Sequence, residues 1–225
     1  MPLERVNADF SRRVVIATGE LPWVPSPQPG VERRMLDRVG GEVARATSLV
    51  RYAPASVFPA HLHGLGEEFL VLEGVFSDEH GDYPAGTYVR NPPGSTHSPR
   101  TKPGCTILVK LRQMLPAERG RVVIDMATSV WESGDLDGHS RLALYSATLD
   151  GERVAMERLA PGLRLPEADR PAGEEIFVLS GDLGDADGSH GPGTWIRNPA
   201  GSRHSLSSAR GATYWVKRGH LYSVP

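Results

Sequence analysis

With 225 residues, 25 glycines and 19 prolines, the chain can build two cores of ordinary size and suits turn-rich all-β structure better than a helical bundle. A formal net charge of −2 without any basic cluster argues against nucleic acid as a partner. The opening MPLERVNADF has no apolar signal core, no apolar run is long enough to span a bilayer, and one cysteine makes no internal disulfide, so the expectation is a cytoplasmic protein with no membrane partner.

In chain order, RVVI at 13–16 opens the β pattern. The proline-rich LPWVPSPQPG at 21–30 cannot form a central strand and reads as an extended arm across a barrel or a neighbouring subunit. ERRMLDR at 32–38, charged with two apolar positions, reads as an edge strand. HLH at 61–63 then presents two imidazoles on one strand face, because residues two apart share a side. A short Gly-containing turn leads to EEFLVLEG, where Glu67, Phe69 and Val71 share one face and Glu68, Leu70 and Leu72 the other. Only one of the two glutamates can join the histidines. GTYVRNPPGSTH at 86–97 brings in His97 behind a tight turn, with Pro92 fixing φ and Gly94 free to take a positive one. Cys105, in the apolar run CTILVKL, is expected in the core.

Shifting the chain by 107 positions aligns GEEFLVLEG with GEEIFVLSG and GTYVRNPPGSTHS with GTWIRNPAGSRHS. With a small adjustment RVVI at 13–16 meets RVVI at 121–124, and Trp23 meets Trp131. Two domains follow, 1–116 and 117–225, divided near Leu115 to Arg119. The second copy has Ala168 and Arg170 where the first has His61 and His63, while keeping Glu174 and His204. An arginine beside Glu174 would put a cation where a metal would otherwise lie, so the second domain is expected to be metal-free and structural. A register slip would instead offer Glu167 and Asp169, at the cost of inverting the faces.

HLHGLGEEFLVLEG and GTYVRNPPGSTH resemble the two motifs of the cupin superfamily, with His61, His63, Glu67, Gly74, Gly86, Pro92, Gly94 and His97 in place. Ala55 stands where the first motif usually has Gly, and Thr101 where the second has Asn. The wording around them is similar to ChrR-type cupins, the C-terminal domain of an anti-sigma factor. The resemblance implies two tandem RmlC-like jelly-roll barrels, and one divalent metal held by His61, His63, Glu67 and His97. Glu67 is selected by the motif, leaving Glu68 for solvent or a salt bridge. Three nitrogens and one carboxylate suit zinc, iron(II), manganese or nickel, with zinc or iron favoured.

Fold alone does not define function. Small cupins that this chain resembles include dioxygenases cleaving diketones or aryl ketones, which implies a small-molecule substrate chelated at the metal. The ChrR resemblance implies instead a zinc-binding cupin in oxidative-stress sensing or transcriptional regulation, although the chain has no CxxC of the kind that captures a sigma factor. A sugar isomerase or sugar-binding cupin is the third reading. Arg51, Tyr52, Phe58, Arg90 and Arg100 are candidates for the mouth of the site. Barrel edges and the proline-rich arm make a homodimer a candidate assembly.

Overall fold

The computed structural model describes residues 4–41, 43–147 and 151–221. Among these the only helix is a single 3-10 turn at Thr18–Glu20, and all strand pairs are antiparallel. No helix is long and apolar enough to cross a membrane. Two compact units form: residues 4–8 with Pro22–Ser129, and Asp9–Leu21 with the residues from Val130 onward.

In the first unit the main sheet runs in the order Glu4–Val6, Val31–Gly40, Ala44–Tyr52, Cys105–Leu111, Glu67–Asp78, Thr87–Asn91, Val122–Asp125. The Glu67–Asp78 strand sends Phe69 and Val71 inward to meet Phe76, Tyr83, Val89, Cys105, Ile107 and Val109. Each such buried side chain contributes about 1.5–3 kcal/mol relative to exposure. Where this strand crosses Thr106 and Ile107 the register shifts, bulging Leu72 out of the ladder. Gly74 follows at φ +71°, and a β-carbon there would stand 2.0 Å from the Gly104 carbonyl oxygen, so no larger residue fits.

ERRMLDR departs from expectation. It lies inside a ten-residue strand, Val31–Gly40, paired along its length with Ala44–Tyr52 and covered on its other side by Glu4–Val6 and Val24–Pro25. Those two short strands are the edge, and Leu36 and Asp37 are wholly buried. The long arginine side chains allow this, since Arg34 carries its guanidinium out over the Trp23 ring at 4.3 Å. The proline-rich arm supplies no central strand and folds back on its own unit through Val24–Pro25.

The second unit repeats the arrangement: Glu132–Ser133, His139–Ser146, Arg153–Leu159, Ala212–Arg218, Glu174–Gly181, Thr194–Asn198, Val14–Ala17. Its core gathers Leu159, Ile176, Val178, Leu183, Ile196, Leu206, Tyr214 and Val216. The bulge recurs at Leu179, followed by Gly181 against the Gly211 carbonyl. Trp131, under Arg158 at 3.6 Å, repeats the stacking of Trp23 under Arg51 at 4.4 Å. The compact units differ from the contiguous halves 1–116 and 117–225 at one strand each. Val14–Ala17 pairs with Thr194–Asn198 of the second unit, and Val122–Asp125 with Thr87–Asn91 of the first. The opening strand of each repeat thus completes the sheet of the other.

Candidate metal centre

His61 and His97 face each other across the small ladder of His61–Leu62 with Thr96–His97. His63 lies one pleat further on the same face, and Glu67 begins the long strand after the turn closed by Gly66 at φ +76°. One ligand atom from each of the four lies within 4.8 Å of the others. The Nε2 atoms of His61 and His63 are 3.3 Å apart, and Glu67 Oε2 is 3.4 Å from the Nε2 of both His63 and His97.

Behind this convergent set, each imidazole is fixed through its other nitrogen: His61 Nδ1 against the Pro59 carbonyl at 3.1 Å, His63 Nδ1 against Ser95 Oγ at 2.9 Å, and His97 Nδ1 against Asp78 Oδ2 at 3.3 Å. Asn91 Nδ2 donates to Glu67 Oε2 at 3.2 Å, and Arg121, beside the exchanged strand, donates to Asn91 Oδ1 at 3.1 Å. Outer partners of this kind set tautomer and aim.

Electrostatics follow the same geometry. Burial lowers the His63 pKa, partly offset by Glu67. Burial also opposes protonation of His97, but the Asp78 hydrogen bond and the Glu67 charge outweigh it and leave its pKa raised. For Asp78, burial is outweighed by hydrogen bonds from His97, the His80 N–H and Tyr83, bringing its pKa to about 2. His97 Nε2 is buried and has no hydrogen-bond partner, although it points at the cluster. An inward nitrogen without a partner, beside two imidazoles and a carboxylate, fits the donor set of a divalent metal.

His61, His63 and Glu67 also line a cavity of about 340 Å³. Of the five candidates for its mouth, Tyr52 and Phe58 line it. Arg51 lies outside, paired with Glu32 and stacked on Trp23. Arg90 is fully buried on the opposite face with Glu68 and Glu118, and the Arg100 side chain is exposed. Glu68 therefore takes the salt-bridge role, receiving Arg90 at 2.8 Å and the Tyr88 hydroxyl at 2.6 Å, and is buried rather than solvated. Val31, Val50, Ile107, Leu111 and Arg112 also line the cavity, and no motif singles them out. Cys105 is buried in the core, its thiol pushed up to about 11 by burial.

At the equivalent place in the second unit, Glu174 Oε1 meets His204 Nε2 at 2.5 Å, while Oε2 receives Arg170 at 2.8 Å and Arg218 at 3.0 Å. Arg218 reaches on to Glu157 at 2.6 Å, and Glu157 also accepts from the Tyr214 hydroxyl at 2.6 Å. Glu167 and Asp169 point elsewhere, toward the exposed Arg203.

Two tandem antiparallel barrels, with a His-x-His, Glu, His constellation inside one of them, define a bicupin. The chain belongs to the ChrR Cupin-like domain family, which matches it twice, over residues 11–115 and 119–222. No curated protein matches it in sequence. Among solved structures, a proposed dioxygenase from Nostoc punctiforme is similar with a TM-score of 0.74 at 16% identity, covering 98% of this chain and 84% of that one. A proposed glyoxylate-induced protein from Pseudomonas aeruginosa gives 0.75 at 16%, covering 95% and 90%. Bacillus subtilis oxalate decarboxylase, a protein with Mn(II) centres, gives 0.63 at 12%, covering 92% and 77%. At these identities the likeness shows the fold.

Proposed function

We propose that the chain is a metal-dependent oxygenase, with one divalent ion held by His61, His63, Glu67 and His97 and a small diketone or aryl-ketone substrate bound beside it. The observation that carries this reading is that three of the four ligand residues form part of the wall of a mainly apolar cavity. Held by these four residues, iron(II) or manganese(II) would supply Lewis-acid polarisation and a template for a chelating substrate. The chain supplies the rest. Pro59, Ser95 and Asp78 fix the imidazoles, and Val31, Val50, Ile107 and Leu111 keep water from the substrate body. Tyr52 and Phe58, edge to face at 6.4 Å, suit an aromatic or flat substrate. The likeness to a proposed dioxygenase supports the reading. A lone cysteine, unable to form an internal disulfide, supports a reducing cytoplasm.

The test is oxygen uptake by iron-loaded protein with benzoylacetone, alongside His61→Ala/His63→Ala. Uptake that disappears with the two histidines supports the reading. The second reading, a regulatory zinc cupin, is favoured by membership of the ChrR Cupin-like family. One tightly held zinc and no uptake with iron would select it.

A further inference from the structure

Apart from Asn7, two non-glycine residues hold a left-handed backbone among the described residues: Ala55 at φ +60° and Arg112 at φ +58°. Such a conformation costs an L-residue roughly 1–2 kcal/mol. At Arg112 the turn itself does not require the side chain. Its backbone N–H donates to the Gly66 carbonyl at 2.9 Å, and the second unit makes the same bond from Gly219 to Gly173 at 3.2 Å with a glycine at φ +83°. Glycine suffices for the turn, so the arginine is explained by what its guanidinium does.

That guanidinium lines the cavity of the metal centre. It lies against Gly64, next to His63, where a β-carbon would stand 2.6 Å from Nη1. Among the described residues no carboxylate, carbonyl or aromatic ring partners its side chain, unlike the guanidiniums of Arg38, Arg51, Arg90 and Arg121. The one acid in the cavity wall is Glu67, which the metal would claim. A half-buried cation beside the His/Glu set, in a chamber that Arg33 and Arg38 also line and whose remaining wall is mainly apolar, calls for a negative charge that the chain does not provide.

We propose that Arg112 anchors a substrate carboxylate, so that the ligand of this site is a small oxo acid. Its ketone or enolate oxygen faces the His/Glu set, its apolar body lies along Val50, Ile107 and Leu111, and its carboxylate takes the guanidinium. The inference rests on reading the cavity as the substrate chamber of the metal centre, and it narrows the substrate class from neutral diketones to acids.

The test is calorimetric binding to anaerobic, cobalt(II)-loaded protein of two probes: phenylpyruvate, and benzyl methyl diketone, which has a methyl group in place of the charged carboxylate oxygen. The wild type should bind phenylpyruvate more tightly. Arg112→Gly, which relieves the backbone, should weaken phenylpyruvate about tenfold or more and leave the diketone within about twofold, with cobalt content unchanged. Arg112→Lys should restore part of the loss. Equal weakening of both probes, or no change in either, overturns the anchor. Oxygen uptake by iron-loaded protein is read separately. Arg112-dependent acid binding without uptake on any carbonyl probe would sink the oxygenase and leave the anchor standing, whereas uptake on a neutral diketone without acid preference would do the reverse.

Discussion

The two barrels use one backbone for opposite interiors. Val50, Ile107 and Leu111 of the first correspond to Glu157, Tyr214 and Arg218 of the second, and Val31, opposite Tyr52, corresponds to His139, opposite Leu159. Apolar walls that cannot bridge to one another leave a chamber beside the His/Glu cluster. Polar side chains at the same positions reach across and tie Glu174 to Glu157 through Arg218. Asn91 and Asn198 hold the shared glutamate in both, at 3.2 and 3.3 Å, so the carboxylate is supported alike while what faces it differs. On one side it is three imidazoles, and on the other an imidazole and two guanidiniums. The comparison teaches that loss of His-x-His is only half of the second barrel's divergence, because its walls have changed as well.

The largest effect expected is in metal stoichiometry. His61→Ala/His63→Ala should take the chain from about one metal to none by elemental analysis. Ala168→His/Arg170→His should not add a second, because Arg218 still occupies Glu174 and fills the space. Adding Arg218→Leu would then be required for a second site. Two metals per chain from the histidine graft alone would break the comparison.

Next in size is the second barrel's network. Arg218→Ala would leave Glu157 and Glu174 buried with one charge partner fewer, an effect of about 3–5 kcal/mol. The equivalent Leu111→Ala, at a half-buried site, should cost no more than about 2 kcal/mol. Urea unfolding followed by fluorescence, with Trp195 and Trp215 both buried in the second unit, measures the difference. Equal losses would mean that the network contributes no more than ordinary packing.

Acid should expose the same asymmetry. Burial would raise the Glu174 pKa, but the His204 hydrogen bond and the Arg218 and Arg170 charges outweigh it and bring it from 4.5 to about 2. Glu157 is lowered in the same direction by His139, Arg218 and Tyr214 against its burial. A carboxylate with a depressed folded pKa contributes stability fully present above its unfolded value and lost as pH falls through the folded one. For Glu174 that is about 3 kcal/mol, lost between pH 4.5 and about 2. Fluorescence of Trp195 and Trp215 should shift red across that window, and Glu174→Gln should flatten the pH dependence.

The fold and the four-residue cluster were legible because both are written in short spacings: alternation along a strand, two histidines a pleat apart, a Pro-x-Gly turn before a third. The exchange of opening strands was not, since RVVI reads alike wherever it pairs. ERRMLDR misled because its charges suggested solvent, while the strand is paired on both sides, Arg34 stacks its guanidinium on Trp23, and Leu36 and Asp37 are buried. The apolar chamber wall was hidden for a different reason: valine, isoleucine and leucine look the same whether they face a core or a cavity. The repeat held the missing signal. Aligned with its copy, Leu111 meets Arg218 and Arg112 meets Gly219, and those mismatches mark the site more sharply than either half does alone.

Smaller effects fall on the supports of the cluster. Asp78→Asn keeps the shape but weakens the acceptor on His97 Nδ1, and metal affinity should drop about 10–100-fold by competition with a fluorescent chelator. The equivalent Asp185→Asn should leave metal content unchanged, because Asp185 serves Arg13 and His190 in the other barrel. Equal effects of the two would detach the outer shell from the metal.

The smallest expected effect is a gain. Ala55, at φ +60°, corresponds to Gly162 at φ +80° in the second barrel, and it stands where the motif usually carries glycine. Ala55→Gly removes a left-handed penalty of roughly 1–2 kcal/mol but returns about 0.4–1 kcal/mol of freedom to the unfolded chain. The net should be a stabilisation of about 0.5–1 kcal/mol, seen as a small rise in melting temperature with no change in metal content or probe binding. Arg112→Gly relieves the same strain and should gain as much stability, yet lose the acid probe. If both substitutions stabilise and only the second alters binding, the strain at Ala55 is incidental and the strain at Arg112 serves the site. If neither stabilises, the left-handed positions carry no measurable cost, and the backbone argument for Arg112 loses its force.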